Sequence, residues 1–265
     1  MATVSALIHY PVKGCAGLSV PRLDITPTGP VHDRTFMFVT PEGLFRSQRT
    51  TSRLAVVRPD LVHDGAKLTL SAPGHPDVAV AVRPDGERVP VTVHVWTGRG
   101  IDQGDDAAEW GSAVLGEPVR LMRVPPDHER QVDATHGTIT YTDSTPLHLT
   151  SLSSLDDLNA RILARGAEPV PMARFRPNIV VSGWDPFAED DAREIRVGGA
   201  ELRYVKPDVR CKVTMVDQDA GTPAGPEPIR TLGDFRREPD GGVSFGIKLA
   251  VRTPGAVSVG DTLDP

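Results

Sequence analysis

The sequence predicts a mainly β protein with a few helices (α+β), read as an N-terminal β-barrel-like domain over residues 1–120 and a β-rich second domain over 121–265. Three observations carry this. Short alternating apolar runs recur through the first half, punctuated by Gly and Pro, of which the chain has 25 each. Two stretches only, near 105–116 and 151–166, have clear helical spacing with start and stop signals. With 265 residues, 39 % of them apolar and 24 % charged, the chain can bury one large core or two modest ones.

Taken in order, "VSALIHYPV" reads as a strand, and "RTFMFVTPEGLFRS" as strand, turn and strand about Pro41-Glu42-Gly43. Asp64-Gly65 between two apolar runs is a hairpin signal. Val78, Val80 and Val82 alternate, Pro84-Asp85-Gly86 turns the chain, and a strand resumes at Val91. Such closely spaced strands suggest a barrel or sandwich. "DDAAEWGSAVLG" reads as a helix with Asp105 as N-cap and Gly116 as its stop. Residues 125–140 read as a long loop. In "SLSSLDDLNARILARG", Ser151, Ser153 and Ser154 compete for the N-cap, Leu155, Leu158 and Ile162 share one face, and Gly166 ends the helix. Strands follow, with Gly198-Gly199 turning one pair.

Composition excludes several functions. A formal charge of −6 argues against a broad nucleic-acid or anionic-membrane surface. No apolar run approaches a membrane span, and the N-terminus lacks the features of a secretory signal, so the expectation is a cytoplasmic, soluble protein. Two cysteines, Cys15 and Cys211, cannot build a four-thiolate cluster or zinc site. The eight histidines are scattered, and His9, His94 and His148 sit in apolar runs where a structural role is expected.

Several short motifs combine chemistry-bearing residues. "YPVKGCAG" sets Lys13 and Gly14 after a strand, where small residues would let a ligand approach the backbone; a plain turn fits as well. Asp33-Arg34 opens another strand and by itself reads as a surface ion pair. Asp143, Ser144 and Thr145 precede Pro146, as a helix-entry turn or as ligand-binding hydroxyls. Arg174 and Arg176 are two apart in "ARFRPNIVVSG", a spacing that on an extended chain puts both on one face with Asn178. Phosphate recognition and a solvated strand edge are both open. Cys211 in "KPDVRCKVTMVDQDAG" reads either as a small core residue or as a reactive thiol on a strand.

The order of these motifs is more specific than any one of them. YPVKGC, DR, DST-P before a helix containing DLN, RFRPNIVVSG, RC and a terminal VGD together resemble the MOSC-domain proteins. The branch with an N-terminal β-barrel, which includes the amidoxime-reducing molybdenum enzymes, is the nearer likeness, and it spans nearly the whole chain. The resemblance implies molybdenum held by the thiolate of Cys211, a soft ligand. It implies a molybdopterin whose phosphate is answered by Lys13, Arg34, Arg174, Arg176 and Arg210, with Gly14, Ser144, Thr145 and Asn178 completing the cradle. Asp143 would act beside the metal as proton donor or substrate orienter. At the level of the family alone, it extends to pyridoxal phosphate binding. Two departures stand out: Asp208 occupies a position where many relatives have a cysteine, and Gly14 one where a serine is frequent.

The function so implied is two-electron reduction of an N-oxygenated substrate, an amidoxime or N-hydroxylated base, by a molybdenum-cofactor-dependent oxidoreductase. The chain has no dinucleotide fingerprint, so electrons would come from a separate ferredoxin-type or similar protein, with no nucleic-acid or membrane partner. Two alternatives use the same residues: a cofactor carrier or storage protein without turnover, and a sulfur-transfer protein with Cys211 as a persulfide carrier.

Overall fold

The computed structural model describes residues 1–62, 64–131 and 137–264. Its centre is a barrel of seven strands closed on itself. Around it run Ala2–His9, Ile179–Ser182, Leu147–Ser151, Ser244–Thr253, Ala200–Val209, Glu194–Val197 and Thr262–Asp264, which returns to Ala2–His9. One pair, Leu147–Ser151 with Ile179–Ser182, is parallel and the other six are antiparallel. Six of the strands come from the second half of the chain. The seventh is the N-terminal strand, which closes the cylinder and leaves it no open edge there. Val4, Leu7, Leu149, Ile179, Val181, Ile195, Leu202, Ile247 and Leu249 fill the interior.

Outside the barrel, Leu18–Val20 pairs with Ala2–His9, and Gly255–Ser258, Arg22–Thr26 and Gly29–Pro30 form a small sheet. The first half also builds a five-stranded sheet in the order Arg88–Val93, Trp96–Asp102, Arg120–Arg123, Phe36–Val39 and Val12–Lys13. A three-stranded sheet of Arg58–Leu61, Lys67–Ala72 and His75–Ala81 packs with it around Phe36, Phe38, Leu68, Leu70 and Trp110. The Asp64-Gly65 hairpin is present, and Gly65 takes a left-handed φ of 73°. The strands flanking Pro84-Asp85-Gly86 do not pair with each other: the first pairs backward and the second forward. Val80 packs with Phe36 and Leu68, whereas Val91 and Val93 pack with Met37 and Tyr141, so the two strands serve different clusters.

Both predicted helices are present. Helix α1 spans Asp105–Leu115, and the residue before it, Gly104 rather than Asp105, is the N-cap; Gly116 ends it in the left-handed region. Helix α2 spans Leu152–Ala164 with Ser151 as N-cap, and Leu155, Leu158 and Ile162 pack against Phe175, Leu232 and Phe245. A third, short helix, α3, spans Ile229–Phe235. Of the segment expected to be a loop, residues 132–136 lie outside the described residues, and Gln131 bridges Thr138 across them.

Two expectations about local structure are corrected. Met172–Phe175 is a 3-10 turn and Arg176 follows it at φ 56°, so Arg174 and Arg176 do not alternate along an extended chain. The preference of a pre-proline residue for the extended region is overridden at Arg176, which takes the left-handed region instead. Likewise Ala200–Val209 ends before Cys211, which instead caps a 3-10 turn, Lys212–Met215.

Candidate active site

A cavity of about 400 Å³ opens where the two halves meet. Its wall is strongly cationic: Lys13, Arg34, Arg46, Arg49, Arg176, Lys206, Arg210 and Lys248 line it, against the carboxylates Asp143 and Asp208. This concentration occurs in a chain of net charge −6. Burying so many cations together is costly unless an anion is present to answer them.

Backbone strain clusters at the same place. Five described non-glycine residues have a positive φ, and three of them, Arg34, His94 and Arg176, line the cavity; Gly14, at φ 81°, is a fourth lining residue in that region. For non-glycine residues this conformation costs on the order of 1–3 kcal/mol each and persists where the surroundings impose it. At Gly14 glycine is the residue that adopts it freely.

Cys211 is partly exposed on the cavity wall. Its carbonyl accepts hydrogen bonds from the amide of Thr214 at 3.1 Å and from Thr214 Oγ1 at 3.0 Å. The preceding amide of Arg210 donates to Val243 at 2.7 Å. The thiol is thus fixed between a strand end and a tight turn. Arg174 is buried and lies outside the cavity lining. Its guanidinium donates to the Thr214 carbonyl at 3.3 Å and braces the cysteine turn. Gly246 permits the close approach of His148 on the adjoining strand, since a Cβ there would lie 2.6 Å from the His148 ring.

The Asp33–Arg34 pair is not on the surface. Asp33 is 1 % exposed and accepts from the Tyr10 amide at 2.9 Å and from Asn178 at 3.3 Å, besides pairing with Arg34. Asn178 Oδ1 in turn accepts from Arg34 at 3.0 Å. The guanidinium carbons of Arg34 and Arg176 lie 4.2 and 4.5 Å from the Tyr10 ring centre, so the ring joins motifs from both halves by cation–π contact. No carboxylate pairs with Arg176 among the described residues; its one polar side-chain contact is Gln218 at 3.4 Å. Burial lowers its pKa.

Asp143 pairs with Lys13, lies 3.2 Å from His94 Nε2 and 4.0 Å from Arg49. Burial pushes its pKa up, but the Lys13 charge and the hydrogen bonds from His94 and Lys13 outweigh this and hold it well below the usual carboxylate range. Asp143 is therefore an ionised acceptor. That favours orienting a substrate over donating a proton. The Asp143-Ser144-Thr145 turn leads into the strand Leu147–Ser151 rather than into a helix. Ser144 and Thr145 both line the cavity, and the buried Thr145 hydroxyl also donates to the Leu147 carbonyl at 3.3 Å.

Several lining residues were not singled out in the sequence. His94 and His148, read as structural, both face the cavity, His94 because its positive φ turns it out of its strand. His148 is held neutral: burial, then the charges of Arg210 and Lys248, push its pKa well below the ordinary value. Asp208 pairs with Arg210 and lies 3.3 Å from both Lys248 Nζ and His148 Nε2. Burial lowers the pKa of Arg210 to about 10. Phe45 through Arg49 form the opposite rim, where Gln48 donates to the Gly14 carbonyl at 2.6 Å and exchanges amide bonds with Gln218. A lysine inside the apolar run "SFGIKLAV" was a legible signal for Lys248; the rim had only its density of arginines.

Residues 1–118 match the family model described as the MOSC N-terminal beta barrel domain, and residues 136–264 match the MOSC domain. Mitochondrial amidoxime-reducing component 1 of Mus musculus is 34 % identical over 282 residues, covering 98 % of this chain and 81 % of that protein. The Homo sapiens protein of the same name is 34 % identical over 283 residues, covering 98 % and 82 %. A molybdenum cofactor sulfurase from Danio rerio is 27 % identical over 270 residues, covering 94 % of this chain but 32 % of that protein.

Proposed function

The chain belongs to the MOSC-domain family, in the branch with an N-terminal β-barrel domain and amidoxime-reducing components among its members, and from that premise we propose that it is a molybdenum-cofactor-dependent oxidoreductase acting on N-oxygenated substrates. The observation that carries the reading is one accessible thiol, Cys211, on the wall of a cavity whose other charges are overwhelmingly positive. The donor set fits a soft metal delivered with an anionic carrier. A thiolate is an apt ligand for such a metal. Among the described residues no three His, Cys, Asp or Glu converge to hold a metal by themselves, so the remaining ligands have to arrive with the cofactor. Arg176 without a carboxylate partner, and the buried Arg210 Nε without a hydrogen-bond partner, suit an anion that would complete them.

When bound, the cofactor supplies the two-electron redox chemistry. The protein does the rest. Cys211 offers the thiolate; Lys13, Gly14, Arg34, Arg176 and Arg210 hold the anionic tail, with Ser144 at the cavity wall. Thr145 and Asn178 shape the turn and the Arg34 side chain that face it. Asp143 accepts a hydrogen bond from the substrate's N–H groups and orients the N–O bond. Electrons come from a separate electron-transfer protein, which docks transiently. No helix among the described residues is long and apolar enough to cross a membrane. Two unpaired cysteines suit a reducing compartment, and a cytoplasmic location is part of the same proposal.

The test is metal and pterin analysis of protein made in a cofactor-competent host, followed by benzamidoxime reduction with chemically reduced methyl viologen and, separately, with NADH. Molybdenum near one per chain, turnover with the viologen and none with NADH is the expected result. Full loading without turnover from any donor, on any N-hydroxylated compound, overturns the reductase reading in favour of a carrier.

A further inference from the structure

Reduction of an amidoxime takes up two electrons from the external donor and two protons, breaks the N–O bond, and gives an amidine and water. The oxygen leaves well only if it is protonated as the bond breaks. Most charged groups on the cavity wall cannot give that proton. Asp143 is an ionised acceptor, His148 is neutral with its Nε2 3.3 Å from the Phe245 carbonyl, and Lys13 is locked to Asp143. Arg176 and Arg210 hold their protons at neutral pH.

Lys248 is different. It lies in the middle of Ser244–Thr253, whose alternate residues Ile247 and Leu249 face the barrel interior, so Lys248 points the opposite way, into the cavity. Across three strands, His148, Lys248 and Lys206 form one row. The side chain is 18 % exposed, with Nζ 3.1 Å from Ser144 Oγ and 3.3 Å from Asp208 Oδ1. Resting on the reductase reading above, we propose that Lys248 is the proton donor of this reaction: its ammonium protonates the departing oxygen, and the resulting amine is recharged by water entering through the mouth. The second proton reaches the nitrogen from solvent.

The groups facing Lys248 are Asp208, Lys206 and Arg210 at the end of Ala200–Val209, Asp143, Ser144 and His148 before and within Leu147–Ser151, and Arg34 and Cys211 across the cavity. Burial lowers its pKa to about 8, against the pull of Asp143 and with the repulsion of Arg210 and Arg34. That value suits a donor at neutral pH. An anionic cofactor acts in the opposite direction, so in the loaded protein the proton should be lost between about pH 8 and about pH 10.

The experiment uses cofactor-loaded wild type, Lys248→Met and Lys248→Arg, with molybdenum content, the pH profile of kcat/KM for benzamidoxime with reduced methyl viologen, and NMR titration of 13C-labelled lysine side chains. The chain has five lysines, so the resonance missing in either variant identifies Lys248. Expected are near-normal molybdenum content and a loss in kcat/KM of about 10²-fold or more in both variants, since arginine keeps the charge but not the acidity. In wild type, kcat/KM should fall on the alkaline side at the pH where Lys248 titrates. An Arg variant within fivefold of wild type, or a Lys248 resonance titrating with the other lysines above about pH 10, overturns the role while leaving the reductase reading intact. A loaded wild type inactive on every N-hydroxylated compound overturns that reading first, and this role with it. If the Met variant loads poorly, the Arg variant and the wild-type titration still decide.

Discussion

The two cysteines lie in opposite environments, and the contrast shows how packing sets what a thiol can do. Cys15 is fully buried among Val12, Phe36, Leu54 and Val57, and that burial pushes its pKa up to about 12. Cys211 is partly exposed on a turn braced by Thr214 and Arg174, at a cavity walled by cations. The side chains are chemically identical. One sits where a negative charge has no solvation, and the other where several positive charges face an open space.

Exchanging the two sites separates them most sharply. Cys211→Ala is expected to fold and to lose essentially all bound molybdenum, whereas Cys15→Ala keeps it; metal analysis of both proteins decides, and equal content would erase the distinction. The same contrast is readable without cofactor. Native metal-free protein should expose one thiol per chain to a thiol reagent and two in denaturant, with the native one absent from Cys211→Ala. A second fast thiol in the native wild type would mean that the Cys15 core opens.

The cationic wall can be tested one guanidinium at a time. Arg176→Ala removes a charge-assisted contact worth roughly 1.5–3 kcal/mol, so apparent cofactor affinity should fall about 10- to 100-fold. Arg83→Ala, exposed and away from the cavity, should load as wild type does. Equal occupancy in the two variants would place the anion site elsewhere.

A smaller effect lies in the pH dependence of stability. His148 has a folded pKa below its unfolded value, so in the unfolded chain it takes up a proton that the folded protein refuses. Its contribution is fully present above about pH 6.5 and is lost as pH falls toward the depressed value, with a slope of at most about 1.4 kcal/mol per pH unit. Thermal melts of metal-free protein from pH 7.5 to 5 should show this slope, and His148→Gln should reduce it to what the buried His9 and His128 contribute in the same direction. Smallest of all, Cys15→Ala should cost about 1 kcal/mol, the ordinary cost of a small cavity in a packed core. A larger loss would show that the first-half core tolerates less than its packing suggests.

Much of the molecule was legible in the residues. The strand-rich class, α1, α2 and the Asp64-Gly65 and Gly198-Gly199 turns rest on local periodicity and turn chemistry, which act within a few residues and so leave their mark on the sequence. Lys13, Arg34, Asp143, Ser144, Arg176, Arg210 and Cys211, all named from motifs and their order, do meet at one cavity. Arg174 does not, because a 3-10 turn replaces the extended geometry its spacing suggested.

Chain order and alternation determined which segments are strands and which polar residues stand apart from the apolar pattern. Only the tertiary structure decided that the N-terminal strand closes a barrel built from the other half, that Asp33 is buried, and that Tyr10 lies between Arg34 and Arg176. The same holds for the row of His148, Lys248 and Lys206, which strand register alone assembles. Periodicity is a property of neighbours along the chain, whereas a charge's solvation, and with it its proton affinity, depends on everything packed around it from distant segments. That is why the sequence could nominate the thiol, and only the fold could set it on a wall of cations.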